Sequence, residues 1–431
     1  MYVKMYFHSV FSFLLTLKWI FMPSNLFTSK CSRYPSTRRI LFSRIGICLL
    51  IASSLISSGL PSPLYPIYQK AFQLSNLWVN LLFSAYAVGV LLAMMLAVFF
   101  GDRFKDRRQL LVTGAGFILV SATTMALATS PSALICGRLL SGIATGLLLG
   151  SANAALLELH PSHDARATAT LTTINFTLGS AIGPLISGFF IHLHLYPTTV
   201  SFIAIIIITL IAIPLMLITK VPVQVASSTP IKSATSEQKS PFLSLPFLIA
   251  MCTLIIGWSV GSVFMSAGQF FTRDLAGVHN ILIAASLLTA FQVVAGGGQL
   301  LSNQFHQQTA IAVGIVLCIG GQIAMCLFAI HGVKIPYEIS SVVAGFGYGI
   351  AFVGATALVN HTAPPSKRAG YISAYYVMGY VFGNALPAVI VGAITDALGL
   401  RIAIILFTSW LTLLTIVLFY VMNQYRTLQQ S

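Results

Sequence analysis

The sequence predicts an all-α integral membrane protein with twelve transmembrane helices in two pseudo-symmetric six-helix bundles. Three observations predict it. Only 7% of the 431 residues are charged and 57% are hydrophobic. A soluble domain carries roughly 25% charged residues, so this chain cannot clothe a water-facing surface. Its apolar residues come in blocks about twenty long, the length a helix needs to cross ~30 Å of hydrocarbon. Finally, the sequence repeats itself weakly at a spacing of about 200 residues, which marks a duplicated unit.

In chain order, residues 1–41 read as a cytoplasmic N-terminal tail. Met5 to Met22 is apolar but interrupted by Lys18, and it lacks the small-residue cleavage site of a removable signal. The favoured reading is a loosely ordered or interfacial tail, or a start placed too early with Met22 as the alternative. An extra span is the other reading. The N-terminal half, 42–219, holds spans at 42–65, 77–100, 109–129, 132–157, 167–191 and 197–219. Residues 220–242, rich in Ser, Thr, Pro, Gln and Lys, read as a flexible cytoplasmic linker. The C-terminal half, 243–423, holds spans at 243–271, 279–301, 309–331, 336–359, 369–394 and 399–422, and 424–431 reads as a tail.

Basic residues set the orientation. With the N-terminus inside, cytoplasmic segments hold 18 of the 23 Lys and Arg, outside loops hold four, and Arg138 falls within span four. That asymmetry places both termini in the cytoplasm, and the cell inner membrane is the expected location. It also accounts for the +15 net charge, which is too thinly spread for a nucleic-acid partner. The six cysteines show neither metal-ligand nor redox spacing and read as small core residues. No metal, cofactor, phosphate-binding loop or nucleophile with its base is expected.

The repeat rests on three echoes. Gly101 to Arg108 after span two is matched 201 positions later by Ser302 to Thr309, with Phe104 and Phe305 in register. Gly179-x-x-x-Gly183-Pro184 in span five is matched by Gly379-x-x-x-Gly383-Asn384 in span eleven. Ser141-Gly142-x-x-x-Gly146 in span four is matched by Ala344-Gly345-x-x-x-Gly349 in span ten. Two parallel repeats around a central site form the architecture of one large transporter class.

The most specific string is Gly179-Ser-Ala-Ile-Gly183-Pro184-Leu-Ile-Ser187-Gly188. Gly179, Gly183 and Ser187 make one small-residue stripe, with Ser180, Pro184 and Gly188 beside it. Such faces let helices approach closely in lipid, and Pro184 removes a backbone donor and can bend the helix. This string resembles the antiporter signature of the major facilitator superfamily, in the span where that family carries it. The loop of Asp102, Arg103, Arg107 and Arg108 is similar to the family's gating loop. It departs at Lys105-Asp106, where a glycine usually follows, and at Val98, where a leading glycine sits. Arg138-x-x-Ser141-Gly142 resembles the fourth-span arginine motif of proton-driven members. The resemblance runs from about residue 41 to 423 and implies the fold, alternating access, and a place near the drug- and sugar-efflux branches.

Arg138 lies about 9 Å inside span four. Charge at such depth costs about 2.5–3.5 kcal/mol on insertion scales, so it should face the cavity or a partner, the alternative being outward snorkelling. No carboxylate lies near mid-membrane: Asp102, Glu158, Glu338 and Asp396 all sit at helix ends. Glu158 and the pair His192 and His194 are the remaining candidates for proton coupling. Asn175, Gln269, Gln292, Tyr375, Tyr376, Tyr380 and Asn384 are the candidate polar groups of the cavity. The leading reading is a secondary active exporter of small organic molecules, exchanging them for protons and working as a monomer in the lipid bilayer. An importer or facilitator of a neutral solute is the runner-up. A membrane-embedded enzyme would need clustered His, Asp or Glu at one depth, and a receptor on this fold would typically add a soluble domain. Neither feature is present in the sequence.

Overall fold

Proline, glycine and the apolar blocks dictate where the helices run in the computed structural model, which describes residues 37–100, 107–160, 165–219, 244–364 and 368–430. From Arg39 onward the chain forms one compact unit, and among the described residues it has no strand. Twelve helices are long and apolar enough to cross a membrane. Span one begins at Thr37–Gly59 and continues, after a break, as Tyr65–Phe72; span two is Asn76–Phe100, span three Arg107–Ala126 and span four Pro131–Glu158. Span five is Ala165–His192 and span six Pro197–Leu217, and the second half opens with span seven, Leu245–Phe270. Ile281–Ser302, Gln307–Ile330 and Lys334–Thr362 are spans eight to ten. Span eleven is Arg368–Met378 joined to Leu386–Leu398 through Gly379–Ala385, and span twelve is Leu400–Gln430. One end of the bundle carries residues 37, 219, 244 and 430. The opposite end is called distal below.

Two boundaries depart from the sequence expectation. Span one was expected as one helix over 42–65, but it breaks after Gly59 because Pro61 and Pro63 each lack an N–H and clash with a preceding turn. Span twelve runs to Gln430, where a tail was expected from 424, because the added turns are rich in Gln, Leu and Arg and contain neither Gly nor Pro. Gln424 also donates to the Tyr420 hydroxyl one turn back, at 2.8 Å.

The glycines show the duplication in three dimensions. Added side chains at Gly179 and Gly183 would strike span one, at Leu55 Cβ (2.8 Å) and at the Leu60 amide (2.7 Å). Their counterparts Gly379 and Gly383 lie against span seven, where a Cβ at Gly383 would sit 3.0 Å from Trp258 Cβ. Gly142 and Gly146 press on Tyr86 and Ala93 of span two, and Gly345 and Gly349 press on Phe291 and Ala295 of span eight. Each pairing is reproduced about 200 residues later. A fine detail also splits the antiporter-like string. Gly179 and Gly183 pack within their own half, whereas Gly188 meets Ala285 of span eight across the two halves.

Candidate functional site

Two constellations stand out, one in each half. The first grows from the break in span one. Pro61 has no N–H to offer the Ser57 carbonyl four residues back, so that carbonyl needs another donor. Arg138 supplies it. Its Nη1 donates to the Ser57 and Ser58 carbonyls at 3.3 and 3.0 Å, its Nε to Leu82 at 3.3 Å and its Nη2 to Phe83 at 3.4 Å. The guanidinium lies 5.0 Å from the Tyr86 ring centre and 5.9 Å from that of Phe83. A cation at a helix C-terminus is also favoured by the helix dipole. The side chain is 1% exposed, so it neither snorkels to the surface nor opens into a cavity in this state. Ser57 and Ser141 join hydroxyls at 2.9 Å beside it, and Gly183 closes on the same break from span five. The arginine motif and the antiporter-like string therefore converge on one structure, the interrupted end of span one.

The second constellation is an aromatic wall in the C-terminal half. Trp258 stands 4.9 Å from Tyr380, 6.2 Å from Tyr376 and 6.2 Å from Phe352 between ring centres. Tyr348 continues the wall to Phe352 and Phe291, and Tyr375 packs edge-on against Tyr376. Span eleven widens here into a π-helical stretch, Gly379–Ala385, a distortion often found at functional sites. Pro387 withholds its N–H from this stretch, and Ser262 of span seven donates to the Gly383 carbonyl instead, at 3.1 Å. Within and beside the wall, Trp258 Nε1 and Asn384 Oδ1 are buried without a hydrogen-bond partner, as is Gln269 Nε2 further along span seven. Buried polar atoms are nearly always paired, so such atoms mark places where another molecule or water belongs.

The other expected residues fall as follows. Tyr375 is fully buried against Thr356, 3.4 Å away, and is no free cavity group in this state. Asn175 donates to the Leu171 carbonyl of its own helix at 2.9 Å. Gln292 is half-buried on span eight, and Glu158 ends span four half-buried. Ser187 bonds only to its own preceding turn, at Gly183 and Pro184. Arg107 opens span three, and Arg108 donates to the Leu217 carbonyl at 3.4 Å. Asp102 and Arg103 lie outside the described residues. Sequence reading missed Trp258, Tyr348 and Phe352, because isolated aromatics in apolar helices look like ordinary core. It also missed what Asp396 does.

Three hydrogen-bonded contacts join the two halves in the distal half of the spans. Asp396 accepts from the Asn76 and Leu77 amides at 2.8 Å each. Ser84 donates to the Ala385 carbonyl at 3.0 Å, and Thr289 donates to the Ala181 carbonyl at 2.8 Å. Tyr86 and Val90 meet Tyr380 nearer the middle.

A model of the Major Facilitator Superfamily matches residues 47–386. The chain belongs to that superfamily. It is a multi-pass membrane transporter rather than an enzyme. It is 35% identical over 115 residues to the multidrug efflux pump LfrA of Mycolicibacterium smegmatis, covering 26% of this chain and 22% of that pump. It is also 32% identical over 111 residues to a gallate transporter of Pseudomonas putida, covering 26% and 24%. The matched stretches thus span less than a quarter of either relative. Among solved structures, a bacterial homologue of the human lysosomal transporter Spinster, in an inward-facing unoccupied conformation, superposes with a TM-score of 0.75 at 15% identity, covering 91% of this chain and 99% of that one. The nucleoside transporter NupG gives 0.69 at 14% identity, covering 90% and 99%. At those identities the superfamily fold is what is shared.

Proposed function

We propose that this superfamily member is a secondary active exporter of small organic molecules of the drug or sugar class, exchanging them for protons as a monomer in the cell inner membrane. Its linker end is cytoplasmic in this reading. The observation that carries it is the distal seam: two bundles hydrogen-bonded to each other there through Asp396, Ser84 and Thr289, with an aromatic wall and unpaired polar atoms near mid-depth. Rocking about such a seam exposes the wall to one side at a time, the behaviour of a two-state carrier. Stacked rings with a free N–H and a free carbonyl oxygen suit a flat organic solute bearing one acceptor and one donor. The antiporter-like string, the arginine motif and the local similarity to a multidrug efflux pump support export with proton exchange.

A second reading, an importer of a neutral solute, is favoured by one observation. The described acidic residues, Glu158, Asp274, Glu338 and Asp396, all lie at or near helix ends, so the middle of the bundle offers no carboxylate to carry a proton. Dye and antibiotic accumulation in cells with and without the protein separates the readings. Export lowers accumulation, whereas import raises it. Trp258→Ala is expected to raise KM by roughly three- to ten-fold, the value of one aromatic stacking contact, with Trp258→Phe intermediate. An unchanged KM in Trp258→Ala would remove the wall from the binding site.

A further inference from the structure

The distal seam carries a feature that neither the family motifs nor the proposed substrate account for. Asn76 and Leu77 open span two, and the first N–H groups of a helix have no acceptor within it. Here the acceptor comes from the other half of the protein, 320 positions away in sequence. Asp396, near the end of span eleven, places Oδ1 2.8 Å from the Asn76 amide and 2.9 Å from Asn76 Nδ2, and Oδ2 2.8 Å from the Leu77 amide. Its charge also faces the positive end of the span two dipole. Asn76 is itself held from the side, since Gln69 Nε2 donates to its Oδ1 at 3.0 Å. One turn back on span eleven, Gly392 lets the helices close until an added Cβ would lie 2.9 Å from both the Asn76 carbonyl and Asn80 Nδ2. Two turns further, Ser84 donates to the Ala385 carbonyl. The contact is a zipper of three rungs, and Asp396 is its outermost and only charged member.

We propose that Asp396 is a positioning residue of the transport cycle: as an intersubdomain helix cap, it holds the distal gate shut and sets how often that gate opens. This rests on the alternating-access reading above, although the contact itself does not depend on the substrate or on the coupling ion. Two physical points fit a gate rather than a permanent brace. The carboxylate is exposed, so water replaces its partners when the helices part, and the cap is correspondingly modest. Each carboxylate oxygen has a backbone amide among its partners, and those two amides are present whatever side chains open span two, although the Asn76 side chain adds a further donor. Asparagine at 396 would lose the charge and present an amide donor where the second oxygen now accepts from Leu77. Glutamate would keep both the charge and the two acceptors.

The test is labelling of a single cysteine at Ser84→Cys, 4% exposed in the wild type and behind the cap, with an impermeant maleimide supplied from the distal side. The six native cysteines are replaced in the full-length protein used for the test, and no substrate is present. Asp396→Asn should speed labelling roughly two- to five-fold, as expected for losing one exposed charged cap, and Asp396→Glu should bring the rate most of the way back. A second cysteine, at Ser121→Cys, is buried between spans three and four of one half, where its hydroxyl now bonds to the Gly137 carbonyl. Gate opening leaves it covered, whereas general loosening exposes it. An unchanged rate at Ser84→Cys in Asp396→Asn overturns the proposal, and so does equal acceleration at both positions. Because labelling needs no transport, either result stands apart from whether the protein exports anything.

Discussion

Arg138 earns its place through two prolines in another helix. Pro61 and Pro63 withhold donors that would have continued span one, and the guanidinium bonds to the Ser57 and Ser58 carbonyls at that break and to the Leu82 and Phe83 carbonyls of span two. Removing it leaves the Ser57 and Ser58 carbonyls buried without their donor, at a cost of about 1–3 kcal/mol for each group. Arg138→Ala should therefore reach the membrane yet fail to transport. Arg138→Lys should keep part of the activity, since an ammonium carries the charge but offers three donors from one nitrogen in place of the five of the planar fork. Membrane immunoblots beside a flux assay check this, and wild-type flux in Arg138→Ala would dismiss the role. The sequence made this residue conspicuous because charge inside an apolar block is expensive. It could not show that backbone carbonyls receive the charge, since carbonyls leave no trace in residue identity. Trp258 illustrates the opposite limit, because a lone tryptophan among leucines and isoleucines carries no mark until its neighbours are known.

At the scale of helices, the stripe of span five has a partner that the sequence left open. Gly183 faces the unwound end of span one, where an added Cβ would lie 2.6 Å from the Ile56 carbonyl and 2.7 Å from the Leu60 amide. These are backbone atoms with no room to turn aside, so Gly183→Leu should force the two helices apart and abolish transport. Ser187→Ala should be mild, because its hydroxyl bonds only within its own helix. Flux measured at matched membrane levels tests both, and full activity in Gly183→Leu would contradict the packing. Helix positions were legible because apolar block length and proline placement are local properties. The broken course of span one was harder to read, since two prolines beside a continuous apolar run are compatible with either a kink or a stop. Only packing against span five and Arg138 decides between them.

At the scale of the whole molecule, the duplication was legible from three echoes, and the glycine contacts repeat with it because both halves meet the same packing problem. Orientation remains a matter of Lys and Arg counts, and it makes a direct prediction. Cysteines placed at Lys232 and Gln430 should resist impermeant maleimide in intact cells and react after permeabilisation. Ready labelling of either one in intact cells would overturn the topology. The central claim is that the two halves carry solute by parting and closing along the distal seam. Thr289 of span eight donates its hydroxyl to the Ala181 carbonyl of span five across that seam, at 2.8 Å. The most direct test replaces both with cysteine in a chain otherwise free of cysteine, oxidises the pair to a disulfide, and measures substrate flux before and after reduction. The account predicts that flux stops when the bridge forms and returns to the uncrosslinked rate once it is reduced; flux that continues unchanged through a fully bridged seam would contradict it.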